Sequence, residues 1–167
     1  TASEGGSPGG SSATWAANED TKLTNASRGT LYRLRLEVSN EGTDTSGAVA
    51  YTLQVAQSSS CGGGTYADVP TDTSGHWQIA DSSYLTDGAA TTNVASGLTD
   101  EAAAFVAGQV KDTGNTTGAI TLAADRFTEL EFTLRATANA VTKADYCFRL
   151  YNSTAGTPLT TYSRYAE

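Results

Sequence analysis

The chain has 167 residues, 18 acidic against 10 basic side chains, a net charge of −8, two cysteines and no methionine. That length suits one domain with a real core, and that charge repels phosphate backbones and anionic surfaces, which argues against nucleic-acid and anionic-lipid partners. No apolar run of about 18 residues occurs, so no helix is expected to insert into a membrane.

Residues 1–12 are almost entirely Ser, Gly, Ala and Thr, with nothing to bury, and read as a flexible arm. We expect residues 1–14 to form that Gly/Ser-rich arm and residues 15–167 a single domain. Ala13, Thr14, Trp15, Ala16 and Ala17 are the first stretch able to pack, either as an arm that docks on a neighbouring copy or as a first edge strand. The absence of methionine fits a mature product cut from a precursor or a piece of something longer.

Over residues 30–40, Tyr32, Leu34, Leu36 and Val38 alternate with Arg33, Arg35, Glu37 and Ser39, the two-residue period of a strand with one apolar and one solvated face. Residues 49–55 resume the alternation after a polar turn, which predicts an antiparallel hairpin of the two runs. Ser58-Ser-Ser-Cys-Gly-Gly-Gly64 lacks the Gly-Lys-Ser/Thr ending of a phosphate loop and reads as a turn. Short strands are expected at residues 66–69 and 77–79. Residues 81–118 carry a weaker pattern, a surface excursion or a short helix over 100–107 in which Asp100 and Glu101 suit a first turn. Strand character returns at 119–122 and 127–136, where Glu129, Glu131, Thr133 and Arg135 are expected to face water. It continues through 144–151 and ends at 158–165, where the lack of a polar tail suggests that the C-terminus abuts another segment.

Eight to ten short strands with little helix predict an all-β fold, an antiparallel two-sheet β-sandwich of immunoglobulin-like or jelly-roll-like kind. Cys61 and Cys147 each lie beside a strand-like run. An even pair points to a disulfide in an oxidising compartment, with two unlinked buried thiols as the alternative. The bond would either cross between sheets or pin a loop to a strand. Closing so long a loop removes roughly 4 to 5 kcal/mol of denatured-state freedom in the chain-entropy account.

Leu34-Arg-Leu-Glu-Val-Ser-Asn40, Tyr51-Thr-Leu-Gln-Val-Ala56, Cys61 with Tyr66-Ala-Asp-Val69, Phe127-Thr-Glu-Leu-Glu-Phe132 and Tyr146-Cys-Phe-Arg-Leu150 together resemble a disulfide-containing β-sandwich domain of uncharacterised secreted and cell-surface bacterial proteins. The resemblance runs from about Trp15 onward. It implies a fold and an extracellular place, and no catalytic residue. The short Gly/Ser arm stands where an additional strand is expected, which raises the prospect of a strand supplied by another molecule.

Asn25, Asn115 and Asn152 head Asn-x-Ser/Thr acceptor sequences for N-glycosylation. His76 has no second histidine or spare cysteine with which to share zinc, and no Gly-x-Ser-x-Gly elbow is present for a Ser-His-Asp hydrolase. Glu129 and Glu131 have the spacing of paired glycosidase carboxylates, but read better as solvated charges opposite Arg33 or Arg35. Asp68, Asp72, Asp81, Asp87 and Asp100 offer carboxylates to a loop calcium without an Asp-x-Asp-x-Asp-Gly loop to organise them. Otherwise no cofactor or metal is expected.

Three functions follow. The first is a structural subunit of an extracellular filament or surface layer, its copies joined by β-strand addition. The second is a carbohydrate-binding or adhesin module stacking sugars on Trp15, Trp77, Tyr66 and Tyr84. The third is a hydrolase using Glu129 and Glu131. The first is expected, with copies of the same chain as partners and glycans as a further class; no enzyme activity is expected.

Overall fold

The computed structural model describes residues 2–3, 14–94, 98–99 and 104–167. Its strands are β1 (Ala2–Ser3), β2 (Thr14–Trp15), β3 (Tyr32–Asn40), β4 (Tyr51–Gln57), β5 (Ala67–Asp68), β6 (Trp77–Ile79), β7 (Ala104–Val106), β8 (Val110–Lys111), β9 (Arg126–Ala136), β10 (Tyr146–Asn152) and β11 (Thr157–Pro158), with one 3-10 turn at Cys61–Gly63. The fold is all-β and consistent with a sandwich. A larger sheet runs β2-β1-β3-β9-β6, and a smaller one runs β11-β10-β4-β5.

The apolar faces of the two sheets meet. Leu34, Leu130, Phe132 and Leu134 from the larger sheet share one core with Leu53, Phe148 and Leu150 from the smaller. Trp77 lies edge-on to Tyr32, Tyr146 and Phe148, an arrangement that favours ring edges against ring faces.

The sandwich also explains why β3 and β4 do not form the expected hairpin. Both carry one strongly apolar face, and those faces oppose each other across the core instead of lying side by side in one sheet. β3 pairs with β9 from Tyr32↔Leu134 to Asn40↔Arg126, whereas β4 pairs with β10 from Tyr51↔Asn152 to Gln57↔Tyr146. The 40–51 connection crosses between sheets and is held by Ser46 N–H donating to Leu122 O and by the mutual Val49–Ile120 bonds. That single bridge replaces the strand expected over 119–122.

β9 is bonded along both edges. β3 takes one edge, while β7, β8 and β6 follow one another along the other, β7 and β8 parallel to it. The expected helix over 100–107 is therefore not formed where it is described, since Ala104–Val106 is a strand, and residues 100–103 lie outside the described residues. At the C-terminus the expected strand over 158–165 is reduced to Thr157–Pro158 and a bridge from Phe148 to Ala166. Between them Tyr162 uses its hydroxyl to bond both the N–H and the C=O of Leu150.

Cys61 and Cys147 are bonded, 86 residues apart in sequence. Cys147 pairs with Ala56 in the β4–β10 ladder, so the bond pins the loop after β4 to the neighbouring strand of the same sheet.

Candidate functional site

A sheet is vulnerable, and useful, where a strand leaves its backbone donors and acceptors without a neighbour. Among the described residues, the edges of the long strands are met in different ways. On β4, β5 covers Gln54 and Val55, and Thr117 N–H donates to Tyr51 O. Between them the Asn115 amide acts as a one-residue strand, its oxygen accepting from Leu53 N–H and its nitrogen donating to Leu53 O and Val69 O. On β10, β11 covers Tyr151 and Asn152, Leu159 N–H and Tyr162 cover Leu150, and Ala166 covers Phe148.

β3 differs. Of its nine residues, Tyr32 and Arg33 are the ones that a described strand, β1, flanks on the outer side. Among the described residues, β9 is the strand that residues 34–40, Leu-Arg-Leu-Glu-Val-Ser-Asn, pair with. They include no proline, lysine or glycine to discourage another strand. Leu36 and Val38 are half-buried against the core, so the inner face of this edge is apolar.

Beside it a groove of about 700 Å³ opens between the sheets where β3, β6 and β10 begin and β9 ends. Tyr32, Leu34, Trp77, Leu134 and Phe148 line it. Ion pairs and hydrogen bonds brace its mouth. Lys22 Nζ lies 2.6 Å from Asp145 and 3.7 Å from Glu167, and the Asp145 carboxylate holds the ammonium above its ordinary range. Arg28 donates to Ala140 O and to Thr142 Oγ1. Val141, on the lip, is 47% exposed and, with Tyr84, one of two large apolar side chains left in solvent among the described residues.

No protein-family model, no curated protein and no solved structure matches the chain.

The carboxylates expected to face water are buried. Glu129 is 0% and Glu131 2% exposed, beneath residues 91–94. Arg35 donates to Glu129, to Glu131 at 2.7 Å and to Thr92 O, while Val94 N–H donates to Glu129 Oε1. The cross-strand Arg–Glu pairing is as the sequence suggests, but the face is not solvated, because residues 91–94 bond over it. Such a network clamps a chain segment and leaves no cleft between the two carboxyl groups.

The loop aspartates have separate tasks. Asp68 accepts from Gln54 and Asp72 from Ser74 N–H. Asp87 accepts from Lys111 Nζ at 2.6 Å and from the N–H groups of Asp112, Thr113 and Gly114. Partial burial opposes its charge, but Lys111 and the three N–H groups outweigh this and hold the carboxyl at about 2. Asp112 is pushed the other way by burial and by the Asp87 and Asp81 charges. Asp100 lies outside the described residues, and among those described no three acidic, His or Cys side chains gather to hold a metal.

Of the glycosylation acceptors, Asn25 is exposed in a turn. Asn152 is half-buried and caps the next turn by accepting from Ala155 N–H. Asn115 spends both faces of its amide on β4 and β5, so a glycan on its nitrogen would break a bond that closes the β4 edge. His76 shares a 3.2 Å bond with the Tyr146 hydroxyl. Trp77 is core, Tyr66 is covered by the Arg149 guanidinium at 4.0 Å, and Tyr84 is exposed. These three aromatics do not form a shared stacking surface.

Thr14 and Trp15 form β2, paired to β1 through two residues; Ala16 is exposed, Ala17 is half-buried, and Ala13 lies outside the described residues. Sequence reading missed the groove and its lip. Its floor residues read simply as core, and only Lys22, Arg28 and Lys143 flanking short polar stretches hint at a mouth.

Proposed function

We propose that this protein is a structural subunit of an extracellular filament or cell-surface layer, its copies joined by β-strand addition at the β3 edge. The carrying observation is the outer side of β3: among the described residues the β1 ladder there pairs with Tyr32 and Arg33, and no described strand continues it along residues 34–40. The N-terminal arm supports the same reading. Its own Ala2–Ser3 already pairs antiparallel with Tyr32–Arg33, so extended arm chain is chemically suited to this edge. Its ladders to β1 and β2 involve two residues each, which makes exchange with a neighbouring copy inexpensive in broken bonds.

The setting agrees. The disulfide is consistent with an oxidising, extracellular place, and no helix among the described residues is long and apolar enough to cross a membrane. The resemblance to secreted surface domains points the same way, and Asn25 is the acceptor best placed to carry a glycan. Catalysis has no support from Glu129 and Glu131, which are buried and paired with Arg35.

The test is electron microscopy of the concentrated full chain beside a variant lacking residues 1–17. Fibres or sheets from the full chain and isolated particles from the variant are expected. Isolated particles from both would refute the proposal, and identical assemblies from both would remove the arm from it.

A further inference from the structure

The outer face of the smaller sheet carries a row of polar side chains flanked by aromatic rings. Phe148 and Leu150 of β10 point into the core, so Arg149 between them points out, level with Gln54 on β4 and Asp68 on β5. The three are joined side chain to side chain: Arg149 Nε donates to Gln54 Oε1, and Gln54 Nε2 donates to Asp68 Oδ1, each at 2.9 Å. The Arg149 guanidinium lies over the Tyr66 ring at 4.0 Å. Along the far edge of β10, Ala166 bridges Phe148 and packs toward the core, so the preceding Tyr165 alternates to the outer side. Its ring stacks on Tyr162 at 4.3 Å.

We infer that this row binds a neutral sugar chain, whose pyranose rings lie against the tyrosines while Arg149 and Asp68 bond their hydroxyls. The site is independent of strand addition at β3.

A pyranose presents an apolar C–H face and a rim of hydroxyls that both donate and accept, so its complement is an aromatic surface beside a pure donor and a pure acceptor. Of the five N–H donors of a guanidinium, Arg149 uses Nε on Gln54, and the others meet no acceptor among the described residues. Asp68 is exposed and gives one oxygen to Gln54. Tyr66, Arg149, Tyr162 and Tyr165 are half-buried, so each keeps surface in water after these mutual contacts. Burial first, and also the Tyr165 charge, pushes the Tyr66 and Tyr162 hydroxyls up, Tyr162 to about 12, while Arg149 pulls both down; the three rings and the guanidinium therefore share one patch. The patch is also fixed in advance. Tyr66 donates to Cys61 O at 2.8 Å, in the loop pinned by the disulfide, and the Tyr162 hydroxyl bonds both the N–H and the C=O of Leu150, so little freedom is lost on binding. A neutral chain fits better than an acidic one, because the protein carries a net charge of −8 and Glu167 acts on Tyr66.

The experiment is calorimetric titration of the full chain with soluble oligomers of glucose, galactose, mannose and N-acetylglucosamine, and with oligogalacturonate as the acidic comparison. At least one neutral oligomer is expected to bind with a Kd below about 1 mM. Tyr165→Ala and Arg149→Met should each weaken it by at least about tenfold, while Tyr165→Phe, which keeps the ring, and Tyr84→Ala, at an exposed tyrosine outside the row, should leave it unchanged. Amide shift mapping of the unaltered nitrogen-15 chain, which needs no substitution to fold, should place the bound oligomer on Gln54, Tyr66, Arg149 and Tyr165. No neutral oligomer binding, shifts confined to other residues, or tighter binding of oligogalacturonate would each overturn the inference.

Discussion

At the scale of single residues, Glu129 shows how far burial changes what a carboxylate does. Fully enclosed, it is stabilised by Arg35 and by Val94 N–H, so removing it takes one of two carboxylates from a buried guanidinium that Glu131 still holds. Glu129→Ala is expected to cost about 1.5 to 3 kcal/mol, the loss of charge-assisted bonds with Arg35 still paired, and the double change Arg35→Met with Glu129→Leu to cost more, because it takes the 2.7 Å partner from the buried Glu131 carboxylate. Urea denaturation of the two variants measures both. Asp87 behaves differently because its side chain is 30% exposed. Its carboxyl sits at about 2 in the fold against an ordinary 3.8. Since the folded value is the lower one, its contribution is complete above about pH 4 and is lost as pH falls through about 2. Asp87→Asn should therefore lower stability at pH 7 by about 1 to 2 kcal/mol after allowance for solvent screening, and should flatten the acid limb between those values in a pH series of denaturation midpoints.

At the scale of elements, the β7–β8 connection must pass close to β9. A side chain at Gly108 would overlap the Glu129 carbonyl oxygen and crowd Thr128 Oγ1, while Thr91 Oγ1 accepts from Gly108 N–H and donates to Glu129 O. Gly108→Ala is expected to destabilise by about 1 to 3 kcal/mol, the range for forcing extra volume into packed structure, with β7 and β8 amides losing exchange protection before those of β3. This crossing was not legible in the sequence. Alternation located β3, β4, β6, β9 and β10 because each buries at least one face against the other sheet, and a two-residue period reports that burial directly. Alternation also assigned Glu129, Glu131 and Thr133 to water, because a period of two distinguishes the faces of a strand but carries no signal that a remote segment covers the second face. The same blindness applies to pairing: β3 and β4 read as a hairpin from proximity in sequence, whereas their partners are 96 residues or so distant, as in the Arg35–Glu131 contact. The two cysteines were legible as a pair, and the structure adds that their bond lies within one sheet.

At the scale of the whole molecule, the account turns on one asymmetry. Two sheets enclose a common core, and among the described residues no strand continues the β1 ladder along residues 34–40 of β3, beside a braced apolar groove. Neither edge nor groove can be seen in the sequence, since each is defined by what does not lie next to β3. The arm could be seen, as a low-complexity stretch ending in a lone tryptophan. The most direct measurement is amide hydrogen exchange of residues 34–40, compared between dilute chain and concentrated assembled material. An edge strand bonded on one side protects alternate amides only. The account predicts that the unprotected alternate amides of β3 slow strongly on assembly while those of β4 and β10 do not change. Assemblies in which β3 exchanges as it does in the dilute chain would contradict strand addition at this edge.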